Sequence, residues 1–208
     1  MKFAFVTKPF LTYFILLIAS ITYSQQTIVD THILTNYNAA LKLFNSKAYA
    51  AAQKKFAAIV EKEVNHPSLK SDATYYDAIC SIRLNNPEAD KKVLTFIEEN
   101  PYNNKINKAF FNIANYYFAN KKAAYALKWF HKVNTDILSI KDRKELNFKM
   151  GYAFLVTKDL NLAKKKFLPL INDSKYGNDS RYYYGYIAYK LEDYGMAEST
   201  LKKIADND

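Results

Sequence analysis

An alanine returns along this chain at Ala52, Ala89, Ala126, Ala163 and Ala197, at steps of 37, 37, 37 and 34 residues. Four residues after each comes Phe56, Val93, Phe130, Phe167 or Leu201, and three further on Ile59, Phe96, Val133, Leu170 or Ile204. Spacings of three and four place such a set on one face of a helix. The small residue marks a close helix crossing, where little more than a methyl fits. A second pattern lies ahead of it: Ala39-Ala40, Ile113-Ala114, Met150-Gly151 and Tyr184-Gly185 stand thirteen and twelve residues before their alanines. A period held through five units predicts a stack of helical hairpins, with the alanines and their followers as core.

The stretch Ile113–Val133 is the clearest unit: two short amphipathic helices on either side of Asn120-Lys121-Lys122. Only four Gly and five Pro occur in 208 residues, which suits helices better than turn-rich sheets. Cys80 is the only cysteine, so no internal disulfide is available. With His32, His66 and His131 it shows no metal-ligand spacing, and neither metal nor cofactor is expected.

The repeating pattern resembles the tetratricopeptide repeat family, whose unit of about 34 residues pairs two helices. That family places a large-small pair and an aromatic on the first helix, Ala and an aromatic on the second, and often a closing Pro. On its frame the units are 33–66, 70–103, 107–140, 144–177 and 178–208. Tyr117 and Phe154 fall on the aromatic position and Pro101 on the proline. Unit two departs, with Tyr76-Asp77 for the large-small pair and Cys80 for the aromatic, although Asn86 and Pro87 read as N-cap and first residue of its second helix. The resemblance implies an all-α, right-handed solenoid of about five hairpins over residues 25–208. The last unit stops at Asp208 without a polar capping helix. The expectation is therefore a longer array, or an open end that packs on a partner.

Residues 1–24 read as a secretory signal peptide: Lys2 and Lys8, an apolar Phe10–Ile21, then Thr22-Tyr23-Ser24, with cleavage before Gln25. The apolar run is shorter than the ~20 residues of a membrane span. No Cys follows it to carry a lipid anchor. The phrases Leu170–Gly177 and Arg181–Tyr186 look like those of periplasmic repeat proteins. Together they predict a protein of the periplasm or outer membrane of a Gram-negative bacterium, peripheral to the envelope at most.

First helices of such arrays line the concave side. The family's groove positions here hold Tyr37, Phe44, Phe111, Asn115, Phe118, Phe148, Tyr152, Tyr182, Tyr186 and Tyr189. Tyrosine offers contact area, a polar tip and few torsions to immobilise, which suits binding a peptide or protein. The same aromatics could instead pack between hairpins. The family's clamp for a chaperone carboxylate needs a Lys–Asn pair; Phe111 stands where the Lys would be, beside Asn115. A cluster of Tyr182, Tyr186 and Tyr189 also suits stacking on sugar rings, the competing reading. Lys54, Lys91, Lys128 and Lys165 repeat on second helices and read as a solvated face. Export removes the chain from cytoplasmic RNA, so nucleic acid is not an expected partner. No phosphate loop, HExxH or GxSxG is present. The sequence predicts an interaction scaffold rather than an enzyme.

Overall fold

A computed structural model describes residues 32–62 and 65–205. The signal peptide and cleavage point expected from the sequence, with Glu63, Val64 and the last three residues, lie outside that range. Among the described residues every regular element is helical: α1 (residues 32–45), α2 (Tyr49–Lys62), α3 (Pro67–Arg83), α4 (Ala89–Glu99), α5 (Ile106–Ala119), α6 (Ala123–Phe130), α7 (Ile140–Val156), α8 (Leu160–Phe167), α9 (Gly177–Lys190) and α10 (Tyr194–Ala205), with a short 3-10 turn at Leu168–Leu170. The chain divides into two compact units, Met1–Asn86 and Pro87–Asp208.

In the first unit, α1 to α3 close around Tyr37, Ala40, Ala52, Phe56, Ile59, Ala73 and Cys80. Tyr76, which departs from the repeat pattern, stacks on Phe56 at 5.1 Å between ring centres. A polar network closes one end: Gln53 Nε2 donates to Ser81 Oγ at 2.6 Å, and Asn86 Nδ2 donates to Gln53 Oε1 at 3.2 Å. The expected cap does not form: α4 starts at Ala89, after Glu88 in a left-handed conformation, which leaves Asn86 ahead of the cap position.

In the second unit, α5 packs on α6, α7 on α8 and α9 on α10, while α6 meets α7 and α8 meets α9. The repeating positions are interior here: Ala126, Phe130 and Val133, then Ala163, Phe167 and Leu170, are all buried. Leu201 departs from the pattern at 36 % exposure.

The turns that close α1, α3, α5, α7 and α9 share one construction. Lys47, Asn85, Lys121, Lys158 and Glu192 all have positive φ, between 54° and 65°. In each, the next amide bonds back to the fifth residue before it, as Lys122 N–H does to the Tyr117 carbonyl at 2.9 Å. This is the six-to-one bond of a Schellman turn, which satisfies the carbonyls a helix leaves open at its end. The turns differ in how the second helix begins. Asp159 caps α8 by accepting from Leu162 N–H at 3.2 Å, and Asp193 caps α10 from Met196 N–H at 3.3 Å. At the same place before α6 stands Lys122, which has no acceptor to offer yet has nearly the backbone of Asp159: φ −94°, ψ 66° against −86°, 76°. Lys122→Asn should therefore stabilise the protein by about 0.5–2 kcal/mol, read as a higher melting temperature. Asn is preferred to Asp because the Asp90 carboxylate already sits by Tyr117 at this end of α5.

Candidate partner-binding face

The second unit brings first helices α5, α7 and α9 side by side, and their aromatics form a linked row. Phe118 on α5 meets Tyr152 on α7 edge to face at 5.8 Å; Tyr152 meets Tyr183 on α9 at 5.6 Å; Tyr183 meets Tyr182 at 5.4 Å. Edge-to-face geometry at these separations is the favoured one, because it sets a ring's positive edge against its neighbour's negative face. Successive helices thus hold one another's rings in place.

The predicted groove residues divide by burial. Tyr152, Tyr182, Tyr186 and Tyr189 are exposed, at 38 %, 55 %, 40 % and 56 %. Phe111 and Phe118 are half-buried, leaning on Phe130 at 6.3 and 6.5 Å. Phe148 is wedged between Phe167 at 5.8 Å and Tyr176 at 5.0 Å, so most of its contact area is already used. Tyr189 leans on Tyr194 at 5.7 Å, and the Lys190 ammonium lies over Tyr186 at 5.6 Å. In the first unit, Phe44 packs between Tyr49 and Tyr76 at 5.5 and 5.0 Å. Tyr37, expected on the groove, is a core residue at 8 % exposure: its ring meets Phe56, and its hydroxyl donates to Asp72 Oδ2 at 3.4 Å. Burial, then the Asp72 carboxylate, pushes its pKa well above the ordinary tyrosine value.

Asn115 has a partner that the sequence does not announce. Lys149 on α7 reaches across, donating to Asn115 Oδ1 at 2.8 Å, pairing with Glu145 and lying over Phe118 at 5.8 Å. Its charge is therefore spent inside the face. Tyr183 is likewise missed by repeat position. It touches Phe148, Tyr152, Phe167 and Tyr182, and burial first, then the nearby Tyr152, Asp179 and Tyr182, raises its pKa. The signals for these two residues are slight: the Glu145–Lys149 spacing of four, and a third ring within Tyr182-Tyr183-Tyr184. The face offers ring edges and phenol hydroxyls, with the Lys149 cation already paired.

Below it, the loop from Leu170 to Gly177 is pinned to α7 by Asp173, whose Oδ2 lies 2.6 Å from Lys144 Nζ. Its other oxygen accepts from the backbone N–H groups of Lys175 and Tyr176, both at 2.9 Å. The Lys144 bond, then those two amides, lower the Asp173 pKa to about 2. A carboxyl depressed on folding contributes stability above its unfolded value of about 4 and loses it as pH falls toward 2. Asp173→Asn should flatten the fall in melting temperature across that window, relative to the parent chain, and leave the curve above it parallel.

Among the described residues, no three His, Cys, Asp or Glu side chains gather to hold a metal, and no helix is long and apolar enough to cross a membrane. No family model and no curated protein matches the sequence. Solved structures do. MamA from AMB-1 superposes with a TM-score of 0.67 at 12% identity, covering 85% of this chain and 92% of that one. PilF of Pseudomonas aeruginosa gives 0.59 at 17%, over 86% and 78%. A Podosopora anserina kinesin light chain with nearly identical TPR-like repeats also gives 0.59, at 8%, over 84% and 94%. At such identities the likeness speaks for architecture alone, and the architecture is the all-α, TPR-like arrangement of consecutive helix pairs.

Proposed function

We propose that this chain is a non-enzymatic interaction scaffold that holds a peptide or protein segment against the α5–α7–α9 face. The observation that carries it is the linked row Phe118–Tyr152–Tyr183–Tyr182, fixed by contacts between successive helices and flanked by exposed Tyr186 and Tyr189. Rings held in place beforehand lose little freedom on binding, so their contact area goes into affinity. The leader-like residues 1–24 support export to a bacterial envelope, in the periplasm or at the outer membrane.

A photo-crosslinking amino acid in place of Tyr152 or Tyr186, with Lys165 as a control position, tests this reading. Cross-links should concentrate at the two tyrosine positions and identify one segment. That segment, made as a peptide, should bind the purified chain and lose at least about tenfold in affinity with Tyr152→Ala. Cross-links spread equally over Lys165 would overturn it. The exposed Tyr182, Tyr186 and Tyr189 favour a second reading, a glycan receptor. Saturable heat of binding to an oligosaccharide, abolished by Tyr186→Ala, would select that one. Export is tested by the mass of the mature protein, which should begin at Gln25; a retained Met1 would sink it.

A further inference from the structure

Hairpin α5–α6 has a charge pattern of its own. No Asp or Glu stands between Glu99 and Asp136, while Lys105, Lys108, Lys121, Lys122, Lys128 and Lys132 all do. The fold sorts these lysines between two ends. Asn107 on α5 and Asn134 beyond α6 exchange two hydrogen bonds, Asn107 Nδ2 to the Asn134 carbonyl at 3.1 Å and Asn134 N–H to Asn107 Oδ1 at 2.7 Å. The start of α5 is thereby locked to the end of α6, so Lys108 shares an end with Lys128, His131 and Lys132. At the other end, Lys122 lies over the Tyr117 ring at 5.9 Å, and the Tyr117 hydroxyl donates to the Asp90 carboxylate at 3.0 Å. Around the open end the acids are few. Glu98 and Glu99 close α4 ahead of Lys105, the exposed Asp136 stands two residues past Asn134 against Lys108, Lys128 and Lys132, Asp142 lies further on at the start of α7, and Glu145 is paired with Lys149. The surplus positive charge therefore lies on the α6 side.

The only tryptophan of the chain sits in that surplus. Trp129 is half-buried, with Phe110 stacked against it at 6.0 Å and the exposed Lys128 and Lys132 placing their ammoniums over the ring at 5.5 and 5.8 Å. We propose that this end of the hairpin docks on an anionic phospholipid surface. An indole with apolar backing and a polar N–H belongs at the boundary between headgroups and acyl chains. Lysines beside it can keep their stems along the apolar part while their charges meet lipid phosphates. Nucleic acid fits less well. The hairpin holds no arginine to fork onto phosphate, and the indole is flanked already where a base would stack. This surface is separate from the aromatic row, because Phe110 and Phe111 are neighbours in a helix and point about 100° apart.

The single tryptophan makes the test direct. The full chain is mixed with vesicles of phosphatidylcholine, alone or with phosphatidylglycerol, and Trp129 emission and flotation are followed. Binding should require the anionic lipid, shift the emission to the blue and weaken with added salt. Lys128→Gln with Lys132→Gln should weaken it at least about tenfold with the melting temperature unchanged, while Lys202→Gln with Lys203→Gln should leave it within about threefold. Equal binding to phosphatidylcholine alone, or an emission that stays put on flotation, would overturn the proposal. So would capture of an oligonucleotide or an acidic peptide by the same lysines with vesicles ignored. None of these outcomes bears on the aromatic face, whose residues are untouched.

Discussion

Phe167→Ala should remove about 3–5 kcal/mol of stability, a large share of what a domain of this size holds. The ring is fully buried, stacked on Tyr183 at 5.2 Å and met by Phe148 at 5.8 Å. Truncation leaves a void lined by rings that cannot collapse into it without leaving their own contacts. Equilibrium urea unfolding followed by circular dichroism would show a lower midpoint with an unchanged slope. A loss below about 1 kcal/mol would mean that the surrounding rings can close the gap. Because Tyr183 also supports Tyr152 and Tyr182, the same variant should loosen the exposed face while removing no residue from it.

The second large effect comes from adding a single carbon. A Cβ at Gly151 would lie 2.9 Å from Phe167 Cζ and 3.0 Å from both Cε atoms. In an ordinary helix position Gly→Ala gains about 1 kcal/mol. Here the backbone of α7 or the packed ring must shift, and Gly151→Ala should cost about 1–3 kcal/mol net. Two other glycines calibrate the result. At Gly185 the new methyl would meet Leu201 Cγ at 2.7 Å, but that side chain is 36 % exposed and can swing aside. At Gly195 nothing lies within 4 Å. Melting temperatures should therefore fall for Gly151→Ala, change little for Gly185→Ala and rise for Gly195→Ala. A rise at Gly151 would show that the helix crossing is looser than its distances imply.

Residues whose role is set by volume are legible in the sequence itself. Ala126, Phe130 and Val133 recur because a helix crossing demands one size at one place, and the fold repeats that demand. Gly151 is visible as the small half of a pair, and its contact with Phe167 supplies the reason. Residues whose role is set by a partner on another element are not legible in this way. Tyr37 looks like a groove tyrosine by its position in the repeat, but Phe56, Tyr76 and Asp72 enclose it. Asn86 looks like a helix cap, yet α4 begins only after Glu88, and the Asn86 amide donates to Gln53, thirty-three residues earlier. Lys149 carries no mark in sequence that it will cross to Asn115. The face itself is half legible: repeat position names Tyr152 and Tyr182, and only side-by-side helices reveal Tyr183 between them.

The left-handed turns bear on how the hairpins come together. An L-residue in that conformation costs about 1–2 kcal/mol, and five turns carry Lys, Asn or Glu there instead of Gly. We therefore expect such a turn to close after the flanking helices have docked, with the α5–α6 contacts formed early on the folding path and the bend at Lys121 late. Lys121→Gly should accordingly slow unfolding and leave the refolding rate nearly unchanged in stopped-flow measurements. A faster refolding rate would instead make the bend the place where each hairpin begins.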